Sequence, residues 1–353
     1  MPRPGRLRGG WVFGAGLLVL AFVPLAVNSY YVILTGYALV FSIACLGLNL
    51  LLGHAGLLSL GHAAYFGLGA YAGAFLFTFG DVTSFELYLA SGVACAVLAA
   101  SVVGSLCVRT THIFFTILTL AFTQMLQALF IGGTAFRPFG EVGKGFFLIG
   151  HGGLYLPRLT LAGVELEPER FTVVFHYVIL AAFAGCSLLM WRLLHSPFGM
   201  ALRGSRDNEM RARFIGLAVS RYRWIAFVIS AAFMAVAGAL FGQLVRQITP
   251  EQVGWLFNAE LVVATILGGT RVFAGPIIGA FVMVALREFA VHFPLSNHLV
   301  LGGLLIGVVF ICPGGLAEMG VRVWARLRGQ TDTDIASGFV GGGERPWTRP
   351  GMP

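Results

Sequence analysis

From Ser29 to Ala74 the chain reads SYYVILTGYALVFSIACLGLNLLLGHAGLLSLGHAAYFGLGAYAGA, without one Asp, Glu, Lys or Arg. Two apolar runs lie in it, near 30–53 and 59–79, separated by a Gly-rich turn around Gly53 and Gly56. Each is close to the roughly 20 residues an α-helix needs to cross a hydrocarbon core. The same reading carried outward gives helices near 11–27, 85–108, 113–132, 171–194, 224–246, 258–270, 272–290 and 299–317. The predicted fold is all-α, a polytopic transmembrane helical bundle of about ten membrane segments. The segment at 258–270 is too short to cross comfortably and reads as a short or broken helix, which is tolerated at membrane depth only inside protein.

Composition agrees. The 353 residues are 58% hydrophobic and 11% charged, against about 25% charged in a soluble domain, and mean hydropathy is +0.86. No soluble fold hides that much apolar surface, whereas a bilayer is itself an apolar solvent. The 48 glycines fit helices that associate by close backbone approach. The five cysteines (Cys45, Cys95, Cys107, Cys186, Cys312) are scattered through apolar runs and read as small core residues.

The formal charge of +8 comes from 23 basic residues, of which Lys144 is the one lysine. Their positions argue against nucleic acid. With the N-terminus inside, Arg3, Arg6 and Arg8, then Arg109, then the group from Arg192 to Arg223, then Arg322, Arg326 and Arg328 all fall on one side, as cytoplasmic loops require. Both termini are then cytoplasmic. The loop from Arg137 to Arg170 falls outside with balanced charge. The N-terminal run from Trp11 to Val27 has the look of a signal peptide, but with more spans following it reads as an uncleaved first helix. Residues 1–320 form one transmembrane domain, and 321–353 a cytoplasmic tail whose Gly-, Pro-, Thr- and Asp-rich end reads as disordered. Leu51–Ala72 and Ile266–Met283 both pass from a helix end through a Gly-rich turn into a small-residue helix, a weak hint of an internal repeat.

No enzyme constellation stands out. Gly143-Lys144-Gly145 lacks the leading glycine and the hydroxyl residue of a phosphate-cradling loop, and His54 and His62 lack a carboxylate at metal-site spacing. No cofactor, metal or catalytic residue is expected, so the chain must draw its energy from another polypeptide. The cytoplasmic loop 196–223, SPFGMALRGSRDNEMRARFIGLAVSRYR, is the informative one. Pro197 and Gly199 break the preceding span. Asp207 and Glu209 followed by Arg211 and Arg213 fit a short helix that Gly216 stops. On it Met210, Phe214 and Leu217 make a small apolar face, which suits either lipid headgroups or a groove in another protein.

This loop resembles the coupling motif of ABC-importer permeases, in particular the branched-chain amino-acid permease family of LivM type, where R-E-N-E-x-A-A-x-x-x-G joins two spans. Arg206, Asp207, Asn208, Glu209, Ala212 and Gly216 fall on that pattern, with Arg211 and Phe214 where small residues are usual. Leu48–Ala74 is similar to the family's signature at Asn49, Gly53, Gly56, Ser59, Gly61, His62, Gly67, Gly69 and Tyr71. Val262–Ala280 is similar to its late LGG-x-G-x-x-x-G-P-x-x-G-A turn, apart from Arg271.

The resemblance implies a multi-pass inner-membrane permease with no ATPase of its own. Its implied partners are a homologous second permease of LivH type, two cytoplasmic ABC ATPases and an extracytoplasmic solute-binding protein. ATPase coupling is expected at Arg206, Asp207, Asn208, Glu209, Met210, Ala212, Phe214 and Gly216. The implied substrates are branched-chain or other hydrophobic amino acids. Family relatives also carry urea, short amides and aromatic acids, and His54 and Leu58 depart from the common pattern. Polar residues suited to line a pathway are Asn49, His54, Ser59, His62, Thr123, Gln124 and Glu260. Ser59 and His62 equally suit a helix cap, and Gln124 a helix bridge. A stand-alone ion-coupled transporter is the rival from another class, and it would need intramembrane carboxylates such as Glu260 and Glu288.

Overall fold

The computed structural model describes residues 5–80, 83–110, 113–132, 154–156, 160, 167–292, 302–303, 305–307 and 314–320. Apolar runs become helices almost where expected: α1 (Gly5–Ala26), α2 (Ser29–Asn49), α3 (Ala63–Gly80), α4 (Phe85–Cys107) and α5 (Ile113–Gly132). Then follow α6 (Pro168–Leu194), α7 (Pro197–Asp207), α8 (Glu209–Phe214), α9 (Val219–Val245), α10 (Trp255–Gly268) and α11 (Gly275–Val291). Five helical segments are long and apolar enough to cross a membrane, at 29–55, 85–107, 113–131, 170–194 and 219–245. Most of the run at 299–317 and the whole tail 321–353 lie outside the described residues.

Two of these spans form the centre. Of the apolar windows of 29–55 and 219–245, 72% and 67% are buried in the chain's own packing, against 22% for α4 and for α5. On those outer helices Leu98, Val102, Ile113 and Phe114 stand exposed. Such an apolar exterior matches lipid, which needs no polar cover. Helix α3 is wedged between α4 and α9 on glycine contacts. A Cβ at Gly92 would overlap the Gly69 carbonyl, and one at Gly238 would overlap the Phe66 carbonyl. Small residues give this close backbone approach, and dispersion at that distance holds the helices together.

The sequence reading differs from the structure at the two Gly-rich turns. The second helix continues past Asn49 as a π-helical turn, Leu50–Ala55, that ends on Gly56 at φ 69°. Residues 57–62 are not helical, so α3 starts four residues later than the apolar run suggests. The second turn joins α10 to α11. Its helices meet backbone to backbone, since a Cβ at Gly268 would overlap the Gly275 carbonyl and one at Gly279 the Ala264 carbonyl. Helix α10 has 14 residues, about 21 Å of rise, short of the roughly 30 Å of a hydrocarbon core. The turns abut each other: a Cβ at Gly53 would lie 2.7 Å from the Thr270 carbonyl. At the other end of the bundle a two-residue pairing, β1 (Leu154–Tyr155) with β2 (Gln247–Ile248), ties the long loop to the segment after α9.

Candidate functional site

Three features bear on function, and the first is the loop 57–62. Extended backbone inside an apolar bundle must find partners for its carbonyls. Helix α5 supplies two: Thr116 Oγ1 donates to Leu58 O at 2.7 Å and Thr123 Oγ1 to Gly61 O at 2.9 Å. Asn258 on α10 supplies a third and more. Its Nδ2 donates to Ser59 O at 3.1 Å, and its Oδ1 accepts from Ala63 N at 2.9 Å, which caps α3 across the bundle. Within the loop Ser59 Oγ accepts from Gly61 N at 3.3 Å and lies 2.7 Å from His62 Nδ1.

The second feature is the pair α7–α8. Pro197 opens α7, and Arg203 clasps it to α6 by donating to Leu194 O at 2.9 Å. Asn208 ends α7 and caps α8, its Oδ1 accepting from Arg211 N at 2.9 Å. Glu209 holds α8 to α9: one oxygen takes Arg223 at 2.9 Å and the other takes Arg213 at 2.5 Å. The Arg223 side chain is only 7% exposed. Partial burial pushes the Glu209 carboxyl up, but hydrogen bonds and charge from Arg223 and Arg213 outweigh it and leave it below its ordinary value. Gly216 at φ 84° lets the chain leave the helix, with Leu217 N returning to Ala212 O at 3.0 Å.

What this anchoring presents is apolar. Ala212 is buried beneath α8, while Met210 is 62%, Phe214 84% and Ile215 77% exposed. Arg206 connects the pair to the first feature. Its guanidinium donates to Gly53 O at the π-helical turn, and its stem crosses Gly56 so closely that a Cβ there would lie 2.9 Å from Cγ.

The third feature is a cleft of about 680 Å³ at the opposite end of the bundle from α8, among α2, α9, α10 and α11. Its floor is aromatic, with the Tyr37 and Phe241 rings 5.6 Å apart. Across it Arg287 Nη1 donates to Tyr37 Oη at 3.0 Å and sits 3.5 Å from Glu260 Oε2. Glu251 and Glu288 also line it, and Glu288 accepts from Tyr30 Oη at 2.7 Å.

The residues expected from sequence fall into distinct places. Asn49, Ser59, His62 and Thr123 are buried in the chain's own packing, the last three within the loop network. His54 is half-buried, its Nδ1 3.2 Å from Asn49 O, Gln124 is exposed on α5, and Glu260 lines the cleft. All eight residues of the expected coupling set lie on α7, α8, the junction between them at Asn208 or the turn after them, with Asp207 exposed at the end of α7. Sequence reading missed Asn258 and Ile215. A lone amide in a short apolar helix is the signal for Asn258, and Ile215 escaped because it lies one step beyond the i, i+4 spacing.

Residues 30–312 match the family described as branched-chain amino acid transport system, permease component. The chain is 29% identical over 329 residues to the high-affinity branched-chain amino acid transport system permease protein LivM of Escherichia coli strain K12, covering 87% of this chain and 75% of that one. It is 29% identical to the probable branched-chain amino acid transport permease protein LivH of Methanocaldococcus jannaschii, over 38% of this chain and 40% of that one. The autoinducer 2 import system permease protein LsrC of Klebsiella pneumoniae is 27% identical, over 48% of this chain and 51% of that one.

Proposed function

The chain belongs to the permease-component family of branched-chain amino acid transport systems, and from that membership we propose that it is one membrane subunit of an ATP-driven importer for branched-chain amino acids. It lies in the inner cell membrane as about ten segments with both termini cytoplasmic, residues 1–320 forming the permease domain and 321–353 a tail. It works with a second permease of LivH type, two cytoplasmic ATPases and an extracytoplasmic solute-binding protein. The relatives named for branched-chain amino acids and the relative named for autoinducer 2 import support transport. The match to the LivM protein, over 87% of this chain, supports the choice of solute.

The observation that carries the ATP-driven reading is α8. A short helix locked down by Glu209 and Asn208, yet leaving Met210, Phe214 and Ile215 uncovered, is built to be gripped by another protein. On this reading a push on α8 reaches the bundle by two routes, through Glu209–Arg223 into α9 and through Arg206 into the π-helical turn at Gly53. From there the loop 57–62 hands it to α10 through Asn258. The eight residues Arg206, Asp207, Asn208, Glu209, Met210, Ala212, Phe214 and Gly216 make up this coupling element.

Reconstitution tests it. Proteoliposomes holding both permeases and the ATPases, with binding protein and leucine outside, are expected to take up leucine only when ATP is present at the ATPase face. Leucine flux driven by a proton or sodium gradient through this chain alone would overturn the reading in favour of a secondary transporter.

A further inference from the structure

We propose that the Glu260–Arg287 ion pair, with Tyr37, is a recognition site for zwitterionic solutes at the mouth of the pathway. The inference rests on the import reading for the direction of travel, but the site itself is argued from its chemistry. The cleft of about 680 Å³ is of the size that small-molecule sites have, roughly 300–1,000 Å³. Its two charges come from different helices, α10 and α11, and both side chains stay accessible, at 29% and 52%. Ionisable groups on membrane helices are costly, and those that persist mark a solute path or a partner contact.

The pair sets a selection rule. Its members sit 3.5 Å apart, too close for a solute to lie between them without separating them. A neutral solute such as urea or an amide that separates them leaves both charges poorly matched. A lone carboxylate satisfies Arg287 and strands Glu260, and a lone ammonium does the reverse. An amino acid replaces one ionic contact with two, carboxylate to Arg287 and ammonium to Glu260. Tyr37 adds to the carboxylate side: its oxygen already accepts from Arg287, which leaves the phenol proton to donate to the solute. Glu251 and Glu288 make the lining acidic and draw the ammonium end, while Leu34 and Phe257 offer apolar wall for a hydrophobic side chain.

Two measurements test the site. The first is leucine uptake by the complete reconstituted transporter carrying Glu260→Gln with Arg287→Gln, which removes both charges and strands neither. Assembly is checked by co-purification of the ATPases. Uptake is expected to fall by about tenfold or more, and wild-type uptake by this variant overturns the proposal. The second needs neither ATP nor assembly. Leu256 lines the cleft and is exposed, so a Leu256→Cys variant in membranes is labelled with an impermeant maleimide. Saturating leucine is expected to slow labelling severalfold, and uncharged isovaleramide to leave it unchanged. Equal effects of the two solutes, or none from leucine, overturn the proposal. Protection by leucine without ATP-dependent uptake upholds the site and sinks the import reading. Uptake without protection does the opposite.

Discussion

The loop 57–62 and helix α8 invert the usual rule of burial in opposite ways. The loop carries polar backbone into the middle of an apolar bundle, and each carbonyl named above meets a side chain reaching from α5 or α10. Helix α8 carries apolar side chains to the surface and leaves Phe214 and Ile215 84% and 77% exposed. A polar segment whose carbonyls are held by side chains of two other helices is a strut, because orphaning any of them is expensive. An apolar segment left this uncovered is an interface in waiting. Arg206 links α8 to the turn that leads into the loop, with its head on Gly53 and its stem on Gly56, and under the proposed coupling role a stiff loop would carry a push on α8 into the bundle.

The largest expected effect breaks the strut. Asn258→Leu keeps the branched skeleton but orphans Ser59 O and the Ala63 N–H, at about 3 kcal/mol in total. It should appear as a clear fall in the unfolding midpoint in mild detergent. A midpoint equal to wild type would mean the loop does not depend on α10. Next comes the anchor of α8. Glu209→Gln leaves the nearly buried Arg223 without its countercharge, at about 2 kcal/mol.

That second effect carries a pH signature. The Glu209 carboxyl is held below its ordinary value of 4.5, so the folded state resists protonation more than the unfolded one. Its contribution is therefore complete above about pH 5 and is lost as pH falls through the depressed value. The stability gap between wild type and Glu209→Gln should be flat at neutral pH and close on acidification. A gap that does not narrow anywhere below the ordinary value of 4.5, down to acid unfolding, would place the stabilisation elsewhere than in the ion pairs.

Much of this is legible in the sequence. The apolar runs placed α4 and α5 within a residue, because a bilayer demands a length and a composition that no loop imitates. Glu209, Arg211, Arg213 and Gly216 announced α8, since first-turn acid, last-turn bases and left-handed stop are all local chemistry. But Asp207, read as part of its start, ends α7, and the cap is Asn208. The loop was not legible, because its donors sit 58, 62 and 199 residues from the carbonyls they serve. The apolar run carried the second helix to residue 53, but that its last turn, Leu50–Ala55, is π-helical was not legible, since propensity does not encode it. Ser59 and His62 showed the same limit. Sequence offered pathway or cap, whereas α3 takes its cap from Asn258 and leaves those two to bond each other.

A milder change sharpens the contrast within the strut. Thr123→Val removes one donor to Gly61 O while keeping shape, and a single interhelical bond in a membrane protein is worth about 0.6 kcal/mol. The expected midpoint shift is several times smaller than for Asn258→Leu. Equal shifts would mean that packing, and not the count of orphaned groups, sets the cost.

The smallest effect on stability is expected at Phe214, and there the comparison turns from folding to work. A side chain 84% exposed loses almost no burial when truncated, so Phe214→Ala should leave the unfolding midpoint of the isolated chain within about 0.5 kcal/mol of wild type. If α8 is gripped by an ATPase, the same truncation removes an aromatic anchor from that contact, and anchors of this kind cost about 2 kcal/mol or more. Leucine uptake and co-purification of the ATPases should then both fall while the chain remains folded. If Phe214 instead dips into headgroups, uptake stays normal and the isolated chain is unchanged, because the lipid contact is nonspecific and Arg211 and Arg213 beside it still hold the surface. The two readings left open by the loop's sequence thus separate on one substitution, read by uptake rather than by stability.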